Sequence, residues 1–220
     1  MHGLIIDFEG IDGVGKSTQV ELLRTYLTNK KILSSYYKFP QYQKTFPGKT
    51  IARFLRGEFG TINEVNPYLI SLAYSMDRAT VREKIFADLN DGKLVICDRY
   101  APSNKAYQAA KLTDSKRVNF LDWLDELDYK INKMPREDWV ILLDMPVEVS
   151  FQLLKKIPRK KDIYESEKSY LEKVRKVYLN LASENANWLV INCVKRKNKL
   201  MSKTEIHEQI LRKFKEKNII

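Results

Sequence analysis

A three-layer α/β fold, with a five-stranded parallel sheet covered by helices on both faces, is predicted by three features of the chain. Short continuous apolar runs alternate with longer stretches of helical periodicity, the pattern of parallel strands buried on both faces. A glycine-rich turn, GIDGVGKS at 10–17, stands between the first apolar run and the first helix. The 220 residues suffice for one well-packed domain and would be cramped for two. No linker, internal repeat or low-complexity segment divides them, so residues 1–220 read as one domain.

LIIDF (Leu4 to Phe8) reads as a buried strand, followed by a helix from about Lys16 to Asn29. ILSSYYKF is a second strand, and Ile51 to Leu55 suits a short helix before a loop at Gly57 to Gly60. One long helix is predicted over Pro67 to Leu89, with Pro67 in its first turn and Gly92 ending it. KLVICD (Lys93 to Asp98) is the third strand. Helical periodicity returns over Val118 to Ile131, where Leu121, Leu124 and Leu127 share a face. WVILLD (Trp139 to Asp144) is the fourth strand, followed by helices at Val147 to Leu154 and Ser166 to Glu184. WLVINC (Trp188 to Cys193) is the fifth, and a helix closes the chain after Thr204.

A hydrophobic content of 44% with 30% charged residues is ordinary for a soluble globular protein. No apolar run approaches the ~20 residues of a membrane span, and the N-terminal MHGLIIDFEG lacks the basic flank of a signal peptide. Cys97 and Cys193 lie far apart in apolar runs and read as reduced buried thiols, which points to the cytoplasm. The net charge of +11 suits a nucleic-acid binder, a binder of small polyphosphates or a basic surface. Much of the excess lies near the C-terminus, between Lys195 and Lys217, where a solvated helix face explains it.

Gly10 to Ser17 matches G-x-x-x-x-G-K-[ST] in the context its mechanism needs, after a strand and opening a helix. Glycines let the backbone curl so that successive N–H groups face phosphate oxygens, and the helix N-terminus adds positive potential. Lys16 can bridge the outer phosphates, and the Ser17 hydroxyl can ligate Mg²⁺. The nucleotide-binding residues are then Gly10, Ile11, Asp12, Gly13, Val14, Gly15, Lys16, Ser17 and Thr18. Two absences narrow the chemistry. No guanine-reading N-K-x-D occurs, and the candidate acid-ending strands finish in Asp98-Arg99 and Asp144-Met145, with no glutamate placed to activate water. A kinase needs none, because its catalysis is positioning plus charge neutralisation.

A phosphate-bearing acceptor requires arginine for its phosphate and an aromatic surface for its base. FPQY, from Phe39 to Tyr42, lies at the carboxyl edge of the sheet, where such folds bind ligands. Tyr74 and Arg78 stand four apart on one helix face, a stacking ring beside a forked donor. DRYAPSNKAYQAAK, from Asp98 to Lys111, puts an acid at the end of a buried strand, where it must be paired, hydrated or near a metal. Arg99 follows it, and Ser103, Asn104, Tyr107 and Gln108 supply a polar cluster.

FEGIDGVGKSTQ, the FP after the second strand, Y-x-x-x-R, DRYxxSNxAYQ and LLDMPVEV together resemble the thymidylate kinase family. The likeness covers most of 3–111 and 138–182, while 112–137 and the last ~35 residues carry little family signal. It implies a P-loop NTPase fold and the reaction of ATP with dTMP to give ADP and dTDP, with Mg²⁺, in a homodimer. It further implies that Asp12 approaches the 3′-hydroxyl, that Phe39 and Tyr74 flank the pyrimidine and that Arg78 bonds its exocyclic carbonyl. Arg99 would hold the acceptor phosphate, and Ser17 and Asp98 the Mg²⁺. Ser103, Asn104, Tyr107 and Gln108 would line the base and sugar pocket.

Some members of the family carry an arginine within the P-loop, whereas Gly13-Val14 stand there in this chain. Lys155 to Ala182 resembles the alternative, a lid (about 155–167) and the helix after it, in which Arg159, Lys160 and Lys161 could neutralise the transition state. Arg159 has the better geometry, so the catalytic set is Lys16, Asp12, Arg99 and Arg159. Asp162 and Glu165 also have capping-box spacing and could merely start a helix. The alternatives to a dTMP kinase are a kinase for another deoxynucleoside monophosphate such as dUMP, and a P-loop ATPase acting with nucleic acid. The missing water-activating acid and the lack of a nucleic-acid motif disfavour the latter.

Overall fold

Leu4–Glu9 (β1) is almost wholly buried, so it needs a hydrogen-bonded neighbour on each edge and apolar cover on each face. The computed structural model, which describes residues 3–156, 162–164 and 167–220, supplies both. β1 pairs in parallel with β3 (Leu94–Asp98) on one side and β4 (Trp139–Asp144) on the other. β2 (Ser34–Lys38) and β5 (Trp188–Asn192) form the edges, giving the order β2-β3-β1-β4-β5, parallel throughout. The five-stranded parallel sheet is thus as the sequence predicts. Alternation along β1 feeds two cores. Ile6 and Phe8 join a large cluster with Leu23, Val174 and Phe214, while Ile5 joins Phe39, Ile85, Val95 and Tyr100.

The helices are α1 (Lys16–Asn29), α2 (Phe46–Leu55), α3 (Pro67–Ala79), α4 (Arg82–Asn90), α5 (Ala101–Ala109), α6 (Asp114–Asp125), α7 (Val147–Lys155), α8 (Lys168–Glu184) and α9 (Lys203–Glu216). None among the described residues is long and apolar enough to cross a membrane. Because the sheet is parallel, the segments leaving β1, β3 and β4 emerge at one edge, which brings residues 10–15, 99–100 and 145–146 together.

Four local expectations need correction. The predicted helix from Pro67 to Leu89 is two helices, broken at Thr80 and Val81. Thr80 Oγ1 donates back to the Asp77 carbonyl at 2.7 Å and accepts from Gln41 Nε2 at 3.0 Å, and both breaking residues are β-branched. The short helix at Ile51 begins earlier, at Phe46, because Thr45 caps it by accepting from the Gly48 N–H at 2.8 Å. The helix predicted to Ile131 widens into a π-helical stretch over Glu126–Ile131. Asp162 starts no helix, since its Oδ1 accepts from the Tyr164 N–H at 2.9 Å and α8 begins only at Lys168. Glu165 lies outside the described residues. A true capping box opens α9, where Ser202 and Glu205 satisfy each other's backbone N–H groups.

Candidate active site

The loop after β1 is held open by residues that only glycine satisfies. Gly10 has φ 139° and Gly13 has φ 80°. A Cβ on Gly10 would lie 2.6 Å from the Leu143 carbonyl oxygen, and one on Gly13 2.8 Å from Leu154 Cγ. α1 then starts without a side-chain cap and without an acid in its first turn, which leaves its N–H groups for an anion. Lys16 curls back over the loop, its Nζ donating to the Gly10 and Ile11 carbonyls at 2.9 Å each. Burial, and then the Arg99 charge, lower its ammonium to about 8.

Ser17 Oγ donates to Asp98 Oδ2 at 2.6 Å, and Lys38 Nζ reaches both, 3.0 Å from Ser17 Oγ and 3.1 Å from Asp98 Oδ2. Burial pushes the Asp98 carboxyl up, but Lys16, Ser17 and Lys38 hold it below its ordinary range. Among the described residues no group of three or more His, Cys, Asp or Glu is set for a metal. The Ser17–Asp98 pair has the sparse hard-oxygen character that suits Mg²⁺, which keeps several waters and takes phosphate oxygens.

Arg99 leaves β3 with φ 71°, a left-handed conformation that turns its guanidinium across the phosphate loop. Its Nη2 donates to Asp12 Oδ1 at 2.5 Å and its Nη1 to Ser103 Oγ at 2.8 Å. Tyr107 donates to the other Asp12 oxygen at 2.6 Å. Ser103 Oγ donates in turn to Glu9 Oε2 at 2.7 Å, where the Tyr178 hydroxyl also donates, at 2.6 Å. The Tyr100 N–H donates to Glu9 Oε1 at 3.0 Å. Both Glu9 oxygens are thus occupied by donors from this cluster.

A pocket opens beside Arg99, lined by Phe39, Tyr74, Tyr100 and Tyr107 and by Arg78, Asn104 and Gln108. Arg78, Asn104 and Gln108 are all buried. Gln108 Nε2 donates to the Tyr164 hydroxyl at 2.7 Å. Asn104 Nδ2 donates to the Ser71 carbonyl at 3.3 Å, which fixes the amide so that Oδ1 is the free end. Among the described residues, Arg78 Nε, Asn104 Oδ1 and Gln108 Oε1 have no partner. A buried donor and two buried acceptors left unpaired beside a pocket are costly unless a ligand completes them. Next to this pocket a wider groove follows the phosphate loop from Gly13 to Thr18, toward Leu153, Leu200 and Met201.

The structure therefore gathers Asp12, Lys16, Ser17, Asp98 and Arg99 at one end, and Phe39, Tyr74, Arg78, Ser103, Asn104, Tyr107 and Gln108 around one pocket. Arg159, with Lys160 and Lys161, lies outside the described residues. Sequence reasoning missed Glu9, Lys38 and Tyr164. Glu9 carried a usable signal, an acid ending a buried apolar run, the same argument that singled out Asp98. Lys38 and Tyr164 carried none.

A glycine-rich loop between a central parallel strand and a helix, facing a second anion-ready pocket, defines a P-loop kinase of the kind that acts on nucleoside monophosphates. Comparison with known proteins makes the family specific. The family model described as thymidylate kinase matches residues 8–217. The thymidylate kinase of Fervidobacterium nodosum is 34% identical over 214 residues, 96% of this chain and 98% of that protein. That of a Sulfurihydrogenibium species is 33% identical over 99% of this chain and all of its own length (100%). A solved thymidylate kinase from Candida albicans shares the fold, with a TM-score of 0.76 over 99% of this chain and 93% of that one at 23% identity. The chain belongs to the thymidylate kinase family and is a phosphotransferase.

Proposed function

We propose that the chain transfers the terminal phosphoryl group of ATP to dTMP, giving ADP and dTDP, as a single kinase domain with a lid at about 155–167. The observation that carries the acceptor is that Arg78 Nε and Asn104 Oδ1, a buried unpaired donor and a buried unpaired acceptor, belong to residues lining one pocket, where Gln108 Oε1 is a second unpaired acceptor. A thymine offers the complement, an acceptor carbonyl at position 4 beside the N3–H donor. Cytosine and adenine present the reverse pattern, so each would leave both groups unpaired. Guanine shares the thymine pattern but is larger.

In this reading the loop amides from Gly10 to Thr18 and the Lys16 ammonium take the donor phosphates. Ser17 and Asp98 would hold Mg²⁺, whose charge offsets that of those phosphates. Arg99 takes the acceptor phosphate, and Asp12, held by Arg99 and Tyr107, accepts from the sugar 3′-hydroxyl. Phe39 and Tyr74 flank the base, and Ser103, Tyr107 and Gln108 complete the walls. Arg159 in the lid supplies charge to the transition state.

A second copy is the partner we assign. Leu69, Leu72 and Met76 on α3 are 67%, 38% and 55% exposed and spaced for one helix face, an apolar stripe suited to a like stripe. The two buried cysteines are unpaired, which supports a reducing compartment, the cytoplasm.

The test is ADP release with ATP and Mg²⁺ across dTMP, dUMP, dGMP, dCMP, UMP, AMP and thymidine. Turnover is greatest with dTMP and absent with thymidine. ADP formed without any acceptor would overturn the kinase reading.

A further inference from the structure

Arg78 does not stand alone in the pocket wall. Its Nη2 donates to Asp128 Oδ1 at 2.7 Å and to Asp128 Oδ2 at 2.8 Å, across 50 residues of chain. The side chains are 2% and 0% exposed. Asp128 is itself braced. The Ser75 hydroxyl donates to Oδ1, and Asn132 Nδ2 donates to the Ser75 oxygen at 2.7 Å. The Asp128 carbonyl takes the Met134 N–H at 2.9 Å. These contacts tie the last turn of α3, which carries Ser75 and Arg78, to the π-helical stretch that carries Asp128.

The arrangement does two separate things to the guanidinium. It supplies the countercharge without which a buried cation is severely destabilised. It also grips one nitrogen, Nη2, and leaves Nε with no partner among the described residues, at a pocket that Arg78 lines. A guanidinium is planar and rigid, so clamping Nη2 fixes the direction in which Nε points. The π-helical turn bears on this, because such widened turns re-aim side chains and recur at functional sites.

We infer that Asp128 is a positioning residue for acceptor recognition, holding Arg78 so that Nε meets the carbonyl at position 4 of the pyrimidine. The inference rests on the base-reading role proposed for Arg78. Asp128 touches no substrate and acts only through the angle and charge of that side chain. Ser75 and Asn132 serve the same end one bond further out.

The experiment measures kcat/KM for dTMP and for two analogues, 4-thio-dTMP and 2-thio-dTMP. Sulfur accepts a hydrogen bond weakly, so the 4-thio compound blunts the contact in question while the 2-thio compound controls for size and electronics. Wild type prefers dTMP over 4-thio-dTMP. In Asp128→Asn, kcat/KM for dTMP falls by about 10- to 100-fold, as for misplaced binding groups. That preference shrinks toward unity, and the ratio of dTMP to 2-thio-dTMP stays at its wild-type value. Arg78→Met shrinks the same ratio, and the double variant is no worse than Arg78→Met alone. If Arg78→Met leaves the 4-thio ratio intact, the base-reading role fails. If Arg78→Met shrinks it and Asp128→Asn lowers all three substrates equally, Asp128 is only structural and the inference is overturned. Should Asp128→Asn not fold, Ser75→Ala, which releases Oδ1 alone, is read by the same ratios and must shift them in the same direction.

Discussion

Ser17 Oγ lies 2.6 Å from Asp98 Oδ2 although 81 residues separate them. They meet because β1 and β3 are parallel neighbours in register, Phe8 opposite Asp98, so the loop leaving one strand passes the end of the other. A hydroxyl from the phosphate loop and a carboxylate from the adjacent strand thereby share the place where a divalent cation would sit.

From that pairing, Asp98→Asn raises the Mg²⁺ concentration for half-maximal turnover by roughly 10- to 100-fold, the usual effect of losing a carboxylate that supports a metal. A Mg²⁺ titration of ADP release at saturating ATP and dTMP measures it. An unchanged midpoint would remove Asp98 from the metal site.

Burial, and then the Arg99 charge, lower the Lys16 ammonium to about 8. A bound triphosphate favours that charge, so Lys16 takes up a proton on binding. Uptake is larger at pH 8 than at pH 7, because more of the buried amine is neutral at the higher pH. Calorimetric titration with Mg-ATP in two buffers of different ionisation enthalpy reads the number directly. Binding at pH 8 without uptake would contradict the assignment.

The Asp12 carboxyl is buried, which alone would raise its pKa, but Arg99 and Lys16 hold it below its ordinary value near 3.8. A carboxyl whose folded pKa is depressed binds its proton more readily when unfolded. It stabilises the fold above the unfolded value, and that stability is lost as pH falls through the folded one. Asp12→Asn is therefore less stable than wild type at pH 7, and the gap narrows progressively below about pH 4. Urea unfolding at pH 7 and pH 3 checks the sign.

Leu69→Glu together with Met76→Glu places charge on the exposed apolar stripe of α3 without touching the core. The pair separates a dimer into monomers, because the charges would be desolvated at the interface. Light scattering at matched concentration distinguishes the two states. A wild type that is already monomeric would refute the assigned partner.

Much of this site is legible in the primary structure, for a physical reason. The phosphate loop is a local device: its glycines, Lys16 and Ser17 act through backbone shape and a helix terminus, both encoded within eight residues. The strands are legible because strands buried on both faces must be continuously apolar. Less is visible where contacts compete with local pattern. Periodicity runs unbroken through Thr80 and Val81, yet the Thr80 hydroxyl bonds the Asp77 carbonyl and ends α3 there. α5 gives no clear signal, since its buried positions include Pro102, Asn104 and Gln108. Those polar groups are buried there as part of the pocket wall, which no amphipathic pattern records.

By itself the sequence determined a parallel α/β sheet, the loop that cradles phosphate and the family to which both belong. The sheet and the loop follow from short-range rules of strand burial, glycine backbone freedom and helix dipoles, and the family from the resemblance of its motifs. The tertiary structure alone decided what the charges do. Along the chain Asp128 is one more polar position on a helix, yet it is fully buried and clamps Arg78. Glu9 reads as a strand end, yet it anchors Ser103 and Tyr178 beneath Arg99. Such roles depend on which distant partner arrives within 3 Å, and the packing of distant elements, not local spacing, sets that.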